Sequence, residues 1–189
     1  MRVSARLGPD AATIDDIIAE AGVARGTFYN YFLTRDDVLV AVASTLSDSL
    51  LQEMNYQRDL PDPADRVSRA VRTFIRTAAA DSVAGWVIVR IALIAAPLGT
   101  AMRDYLAEDV DAGLAAGRFQ ARSVQAACDT ILGMGLMGMR SVLRGEATKD
   151  HAEHMAEMVL RALAVPDATE IASLPLGGRL DPDPGGARK

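Results

Sequence analysis

Arg25, Thr27, Tyr29, Asn30 and Tyr31 crowd five hydrogen-bonding side chains into one short stretch, broken only by Gly26 and Phe28. Guanidinium, hydroxyl, phenol and carboxamide groups recognise polar partners; none of them forms a nucleophile–base pair here. Inside a core this much hydrogen-bonding capacity would be costly to satisfy, so the stretch belongs on a surface. Other candidate chemistries are thinner. His151 and His154 share a helix face with Asp150, Glu153 and Glu157 nearby, a spacing that could hold a metal. A solvated polar face explains the same pattern more simply. Cys128 is the sole cysteine, and its Ala- and Gly-rich surroundings suit inert packing better than a redox sensor. It excludes an intrachain disulfide and fits a reducing cytoplasm. No Ser/His/Asp set, phosphate loop or acid–base pair has workable spacing, so the chain reads as a non-enzyme without a cofactor.

The elements that must hold the polar stretch are legible around it. Thr13-Ile14-Asp15-Asp16 has the form of a capping box, in which the hydroxyl accepts from the amide three residues on and the acid reaches back. Ile14, Ile17, Ile18 and Ala21 follow at helical spacing, and Gly22 ends the helix in a left-handed turn. A second short helix fits residues 24–31. Thr34-Arg35-Asp36-Asp37 is another box, opening a third helix with Val38, Leu39, Val42 and Leu46 inward. Two short helices joined by a Gly-containing turn make a helix-turn-helix. An ordinary core hairpin is the alternative, and the polarity of the second helix argues against it.

Composition sets the frame. The chain has 189 residues, 50% hydrophobic and only 5% aromatic, and carries a net charge of −5. It is rich in Ala, Leu and Met and lacks period-two runs, so the expected fold class is all-α. Residues 1–12 contain no apolar run of the kind that opens a signal peptide. The most apolar segment, 83–98, is interrupted by Arg90 and falls short of the roughly 20 residues a membrane span needs. An acidic chain has no general affinity for nucleic acid, so any DNA contact must be local and geometric.

Residues 13–35 resemble the DNA-binding signature of the TetR/AcrR repressors. The Ala21-Gly22-Val23 turn, the Gly26-Thr27-Phe28-Tyr29 run with Tyr31 and Phe32, and the basic Arg35 fall in register. The resemblance implies that Arg25 faces base edges, where its fork fits guanine O6 and N7, and that Gly26 admits close approach to DNA. Thr27, Tyr29 and Arg35 would contact phosphates, Asn30 would join this surface, and Tyr31 would meet backbone or a thymine methyl. Thr13 would bring its helix start to a phosphate. Phe28, Phe32, Val23 and Ile17 would be core; for Tyr29 and Tyr31, packing between helices is the alternative. Two departures stand out. Only twelve residues precede Thr13, and Gly8-Pro9 breaks them, so the family's first helix is expected to be truncated. Residues 1–45 hold four arginines against six acids, which predicts weak operator binding. Ala24 stands where a capping Ser is common.

The division expected is therefore 1–46 as the helix-turn-helix domain, 47–165 as a helical ligand-binding and dimerisation domain, and 166–189 as a Pro/Gly-rich, disordered tail. After the Leu60-Pro61-Asp62-Pro63 break, helical spacing covers 67–78, 83–96, 100–116, 122–144 and 148–164. Trp86, Arg90, Met102, Tyr105, Phe119, Met134 and Met137 are the candidates for lining a pocket, with plain core as the alternative for each. The resemblance further implies a homodimer through the last two long helices, two-fold DNA sites, and release by a small-molecule effector whose identity the sequence does not disclose. The competing reading is a helical dimeric ligand- or partner-binding protein with impaired DNA binding; an enzyme carrying a grafted helix-turn-helix lacks a catalytic set.

Overall fold

The structure is a computed structural model that describes residues 13–34, 36–38, 40–42, 45, 51–52, 59–92 and 96–176. Among them all regular structure is helical. Eight helices have defined bounds: α1 Ile14–Ala21, α2 Arg25–Tyr29, α3 Pro63–Ala80, α4 Ser82–Ile91, α5 Ala96–Ala115, α6 Val124–Leu143, α7 His151–Ala162 and α8 Ala168–Ala172. Residues 36–38 and 40–42 are helical as well.

Both capping boxes form. The Asp16 amide donates to Thr13 Oγ1 at 3.2 Å while the Thr13 amide donates to Asp16 Oδ2 at 2.8 Å. The Asp37 amide donates to Thr34 Oγ1 at 3.2 Å, and Asp37 Oδ2 accepts from the Thr34 amide at 2.8 Å. Gly22 leaves α1 at φ 65°, the left-handed conformation that favours glycine. α2 is shorter than the 24–31 expected: five residues, with no side-chain cap at Ala24, and turn at 30–31. Phe28 is buried and its ring lies 5.6 Å from that of half-buried Phe32. Val23 departs from the core role expected of it and is 37% exposed. Of the third helix's expected inward residues, Val38 and Val42 are half-buried, whereas Leu39 and Leu46 lie outside the described residues.

α3 is the axis of the second part. Asp62 caps it, accepting from the Ala64 amide at 2.9 Å, and Pro63 starts it where no amide donor is needed. It packs against α4, α5, α6, α7 and α8. Val67, Val71, Ile75 and Ala78 form its apolar side, joined in one core by Ile88, Leu106, Val110, Ile131, Met139 and Leu160. Where α3 crosses α6, a Cβ on Gly138 would come within 2.6 Å of Ile75 Cδ1, so the helices touch because glycine is there. That contact offsets the roughly 1 kcal/mol a helical glycine costs. Half-buried Val42 and Leu51, from the segment following the helix-turn-helix, pack on this same core.

The tail corrects the sequence expectation in part. Residues 168–172 form α8, and Ala168, Ile171, Ala172 and Leu176 are buried. Arg69 donates to the Leu176 carbonyl and Arg72 to the Leu174 carbonyl at 2.5 Å. Residues 177–189 lie outside the described residues.

Candidate functional site

The polar stretch is carried on the outside of the helix-turn-helix. Arg25, Gly26, Thr27, Tyr29, Asn30 and Tyr31 are all exposed, with Tyr29 at 39% and Tyr31 at 78%. Around Gly26 nothing lies within 4 Å of the position a Cβ would take, so the backbone is open to a partner. Arg25 opens α2 and pairs with Asp15 on α1, Nη1 to Oδ1 at 3.1 Å, while its guanidinium lies 5.9 Å from the centre of the Tyr29 ring. Tyr29 in turn meets buried Phe28 edge-on at 5.5 Å. Thr13 is exposed at the start of α1; its bonds to Asp16 hold that carboxyl below the usual range. Arg35 lies outside the described residues. The six remaining recognition-stretch residues are therefore all exposed, and the side chains among them can donate hydrogen bonds to a partner.

A second site lies in the helical domain. Between α3, α5 and α6 is a cavity with about 280 Å³ of empty space including its mouth. Ala70, Val71 and Phe74 line it from α3, Met102 and Leu106 from α5, and Ile131, Leu132 and Gly135 from α6. Met102 alone was legible as a lining residue. Tyr105 and Phe119 are buried core, and Phe119 fills the space a Cβ on Gly113 would need. Trp86, Arg90 and Met134 are half-buried elsewhere, and Met137 is 52% exposed. The missed members come from three helices whose order around the cavity no single stretch encodes. The glycine-rich run of α6 was the one available signal.

Charged groups tie the cavity helices to the segment entering α3. Arg66 Nε donates to Asp109 Oδ1 on α5 at 2.6 Å, and its Nη1 donates to the Leu60 carbonyl at 2.6 Å. Both side chains are largely buried, at 12% and 6% exposure. Arg118 reaches Asp167 at 2.7 Å and Asp62 at 3.0 Å, which raises its own pKa and lowers that of Asp167. Cys128 is buried, and burial pushes its thiol up, away from the reactive thiolate. Beside His151 and His154, Glu153 is paired with Arg76 and Glu157 with Arg161. No described helix is long and apolar enough to cross a membrane.

Known proteins share these features. Over 54 residues the chain is 37% identical to an uncharacterized HTH-type transcriptional regulator, YvdT of Bacillus subtilis; that stretch is 29% of this chain and 28% of YvdT. RolR without ligand has a TM-score of 0.78 at 27% identity, over 94% of both chains. RolR in complex with resorcinol has a TM-score of 0.69 at 26% identity, over 94% of this chain and 90% of that one. AibR, in complex with isovaleryl coenzyme A and operator DNA, shares the fold at 16% identity and a TM-score of 0.61, over 86% of this chain and 92% of AibR. Residues 1–42 match the bacterial regulatory proteins of the tetR family, and residues 62–174 match the tetracyclin repressor-like C-terminal domain. The chain belongs to the TetR family of transcriptional regulators.

Proposed function

We propose that this regulator is a cytoplasmic repressor that binds operator DNA as a homodimer and releases it when a small molecule enters the α3–α5–α6 cavity. The observation that carries the reading is the exposed face of α2, where Arg25, Thr27, Tyr29 and Asn30 stand on a helix pinned by Phe28. Arg25 reads base edges; Thr13, Thr27, Tyr29, Asn30, Tyr31 and Arg35 hold backbone. AibR, of the same fold, was crystallised on operator DNA.

Pairing is supported by an exposed face of α6. Gly133 weakens its helix, yet nothing lies within 4 Å of where its Cβ would be. One turn on, Met137 is 52% exposed, and Met158 on the adjacent α7 is 54% exposed. A second copy laid on this face uses the missing side chain for close approach and buries both methionines.

Release is supported by the cavity and by its connection to the linker. Met102, Leu106 and Asp109 follow at i, i+4 and i+7 on one face of α5. A molecule that moves this face shifts Asp109, and through Arg66 the Leu60 carbonyl. RolR, which matches 94% of this chain, was crystallised both without ligand and in complex with resorcinol. The second reading, a ligand-binding dimer with impaired DNA binding, draws on the Asp15 carboxylate that occupies Arg25.

Selection of bound fragments from the source genome by the full chain tests the proposal. A recurring sequence is expected, and Arg25→Ala should lose preference at one base position by about 1–3 kcal/mol. Recovery of fragments without a shared sequence favours the second reading.

A further inference from the structure

We propose that the ligand of the α3–α5–α6 cavity is a compact, uncharged, apolar molecule without hydrogen-bonding groups. The inference rests on the reading of this cavity as the effector site and adds the chemical class. The lining is aliphatic, aromatic, thioether or glycine throughout: Val71 and Phe74 from α3, Met102 and Leu106 from α5, Ile131 and Gly135 from α6 among them. Among the described residues, no charged or hydrogen-bonding side chain lines it.

The charged groups on the same helices have partners outside the cavity. Arg66 holds Asp109 and the Leu60 carbonyl, Arg103 Nη2 pairs with Asp129 at 2.8 Å, and Arg72 Nη1 donates to the Leu174 carbonyl, while Arg103 Nη1 and Arg72 Nε and Nη2 are buried without one. A carboxylate, ammonium or phenol entering the cavity would leave its hydration shell for a lining that offers no hydrogen bond in return. A hydrocarbon loses no hydrogen bonds on entry. The enclosed part of this space is small, since the 280 Å³ counts the open mouth, so the ligand is compact. Gly135 shapes it: a Cβ there would lie 3.3 Å from Phe74 Cδ1.

The test uses the full-length chain, with toluene and naphthalene as probes and benzoate and resorcinol as polar counterparts. Thermal melts and titration calorimetry are the readouts. The hydrocarbons should raise Tm in proportion to their occupancy, and the polar pair should not. Gly135→Ala narrows the cavity while favouring the helix; Leu132→Trp obstructs it from a half-buried position. Each should weaken hydrocarbon binding about tenfold or more. No hydrocarbon response, a larger response to benzoate or resorcinol, or hydrocarbon binding that survives both variants overturns the proposal. DNA retention is read separately. Hydrocarbon binding that both variants weaken, without release of selected DNA, upholds the ligand class and refutes the repressor reading. DNA release by benzoate or resorcinol alone refutes the class and leaves the repressor reading intact.

Discussion

Arg25 already has a partner in the protomer, with which the proposed DNA contact would compete. Its guanidinium pairs with Asp15 at 3.1 Å, with the two side chains 65% and 69% exposed. An exposed pair of this kind contributes about 0–1 kcal/mol, little enough for a phosphate or guanine to displace it. Asp15 nevertheless places a negative charge beside the surface that would meet DNA. Asp15→Asn should therefore tighten DNA binding up to about fivefold at low salt, with the gain shrinking as salt rises. Titrations of both proteins at two salt concentrations check this; weaker binding by the variant would mean that Asp15 orients Arg25 rather than restraining it. The pair was not read from the sequence, although the two residues sit on consecutive helices. Capping accounts for Asp16 and leaves Asp15 looking like an ordinary first-turn acid.

At the scale of elements, what was legible is what local chemistry decides. Thr13 with Asp16, Thr34 with Asp37, and Gly22 announce helix ends because a cap involves residues three or four apart. The long helices were placed to within several residues for the same reason. Tertiary partners were not legible. Residues 168–176 pack because Arg69 and Arg72, about a hundred positions earlier, hold their carbonyls. Val23 fits an apolar pattern yet is exposed, since α2 seats Phe28 instead.

The Arg118 clamp likewise joins Asp62 before α3 to Asp167 before α8. It gives a pH-dependent prediction. Asp167 is held below its ordinary value by Arg118, so it stabilises the fold above the unfolded value of about 3.9 and ceases to as pH falls through its lowered folded value. Asp167→Asn should lower Tm by a constant amount from about pH 7 to pH 5, and the deficit should shrink below about pH 4. Thermal melts across that range check it; a deficit independent of pH would place the effect in packing.

At the scale of the molecule, the described contacts run from the cavity along α5 to Asp109, Arg66 and the Leu60 carbonyl. The cavity was the least legible part, since three helices distant in sequence enclose it and only Met102 stood out beforehand. The exposed polar stretch was the most legible, because it sits on and just after one short helix and its polarity contradicts burial. Gly133, Met137 and Met158 add an exposed face that the proposed second copy would cover. A footprint of the full chain on the genomic fragment it selects tests the account most directly. The account predicts two symmetric half-sites protected at two chains per site, with centres about 10–10.5 base pairs, or a multiple, apart. Uniform coverage at low salt with no protected sequence would contradict it.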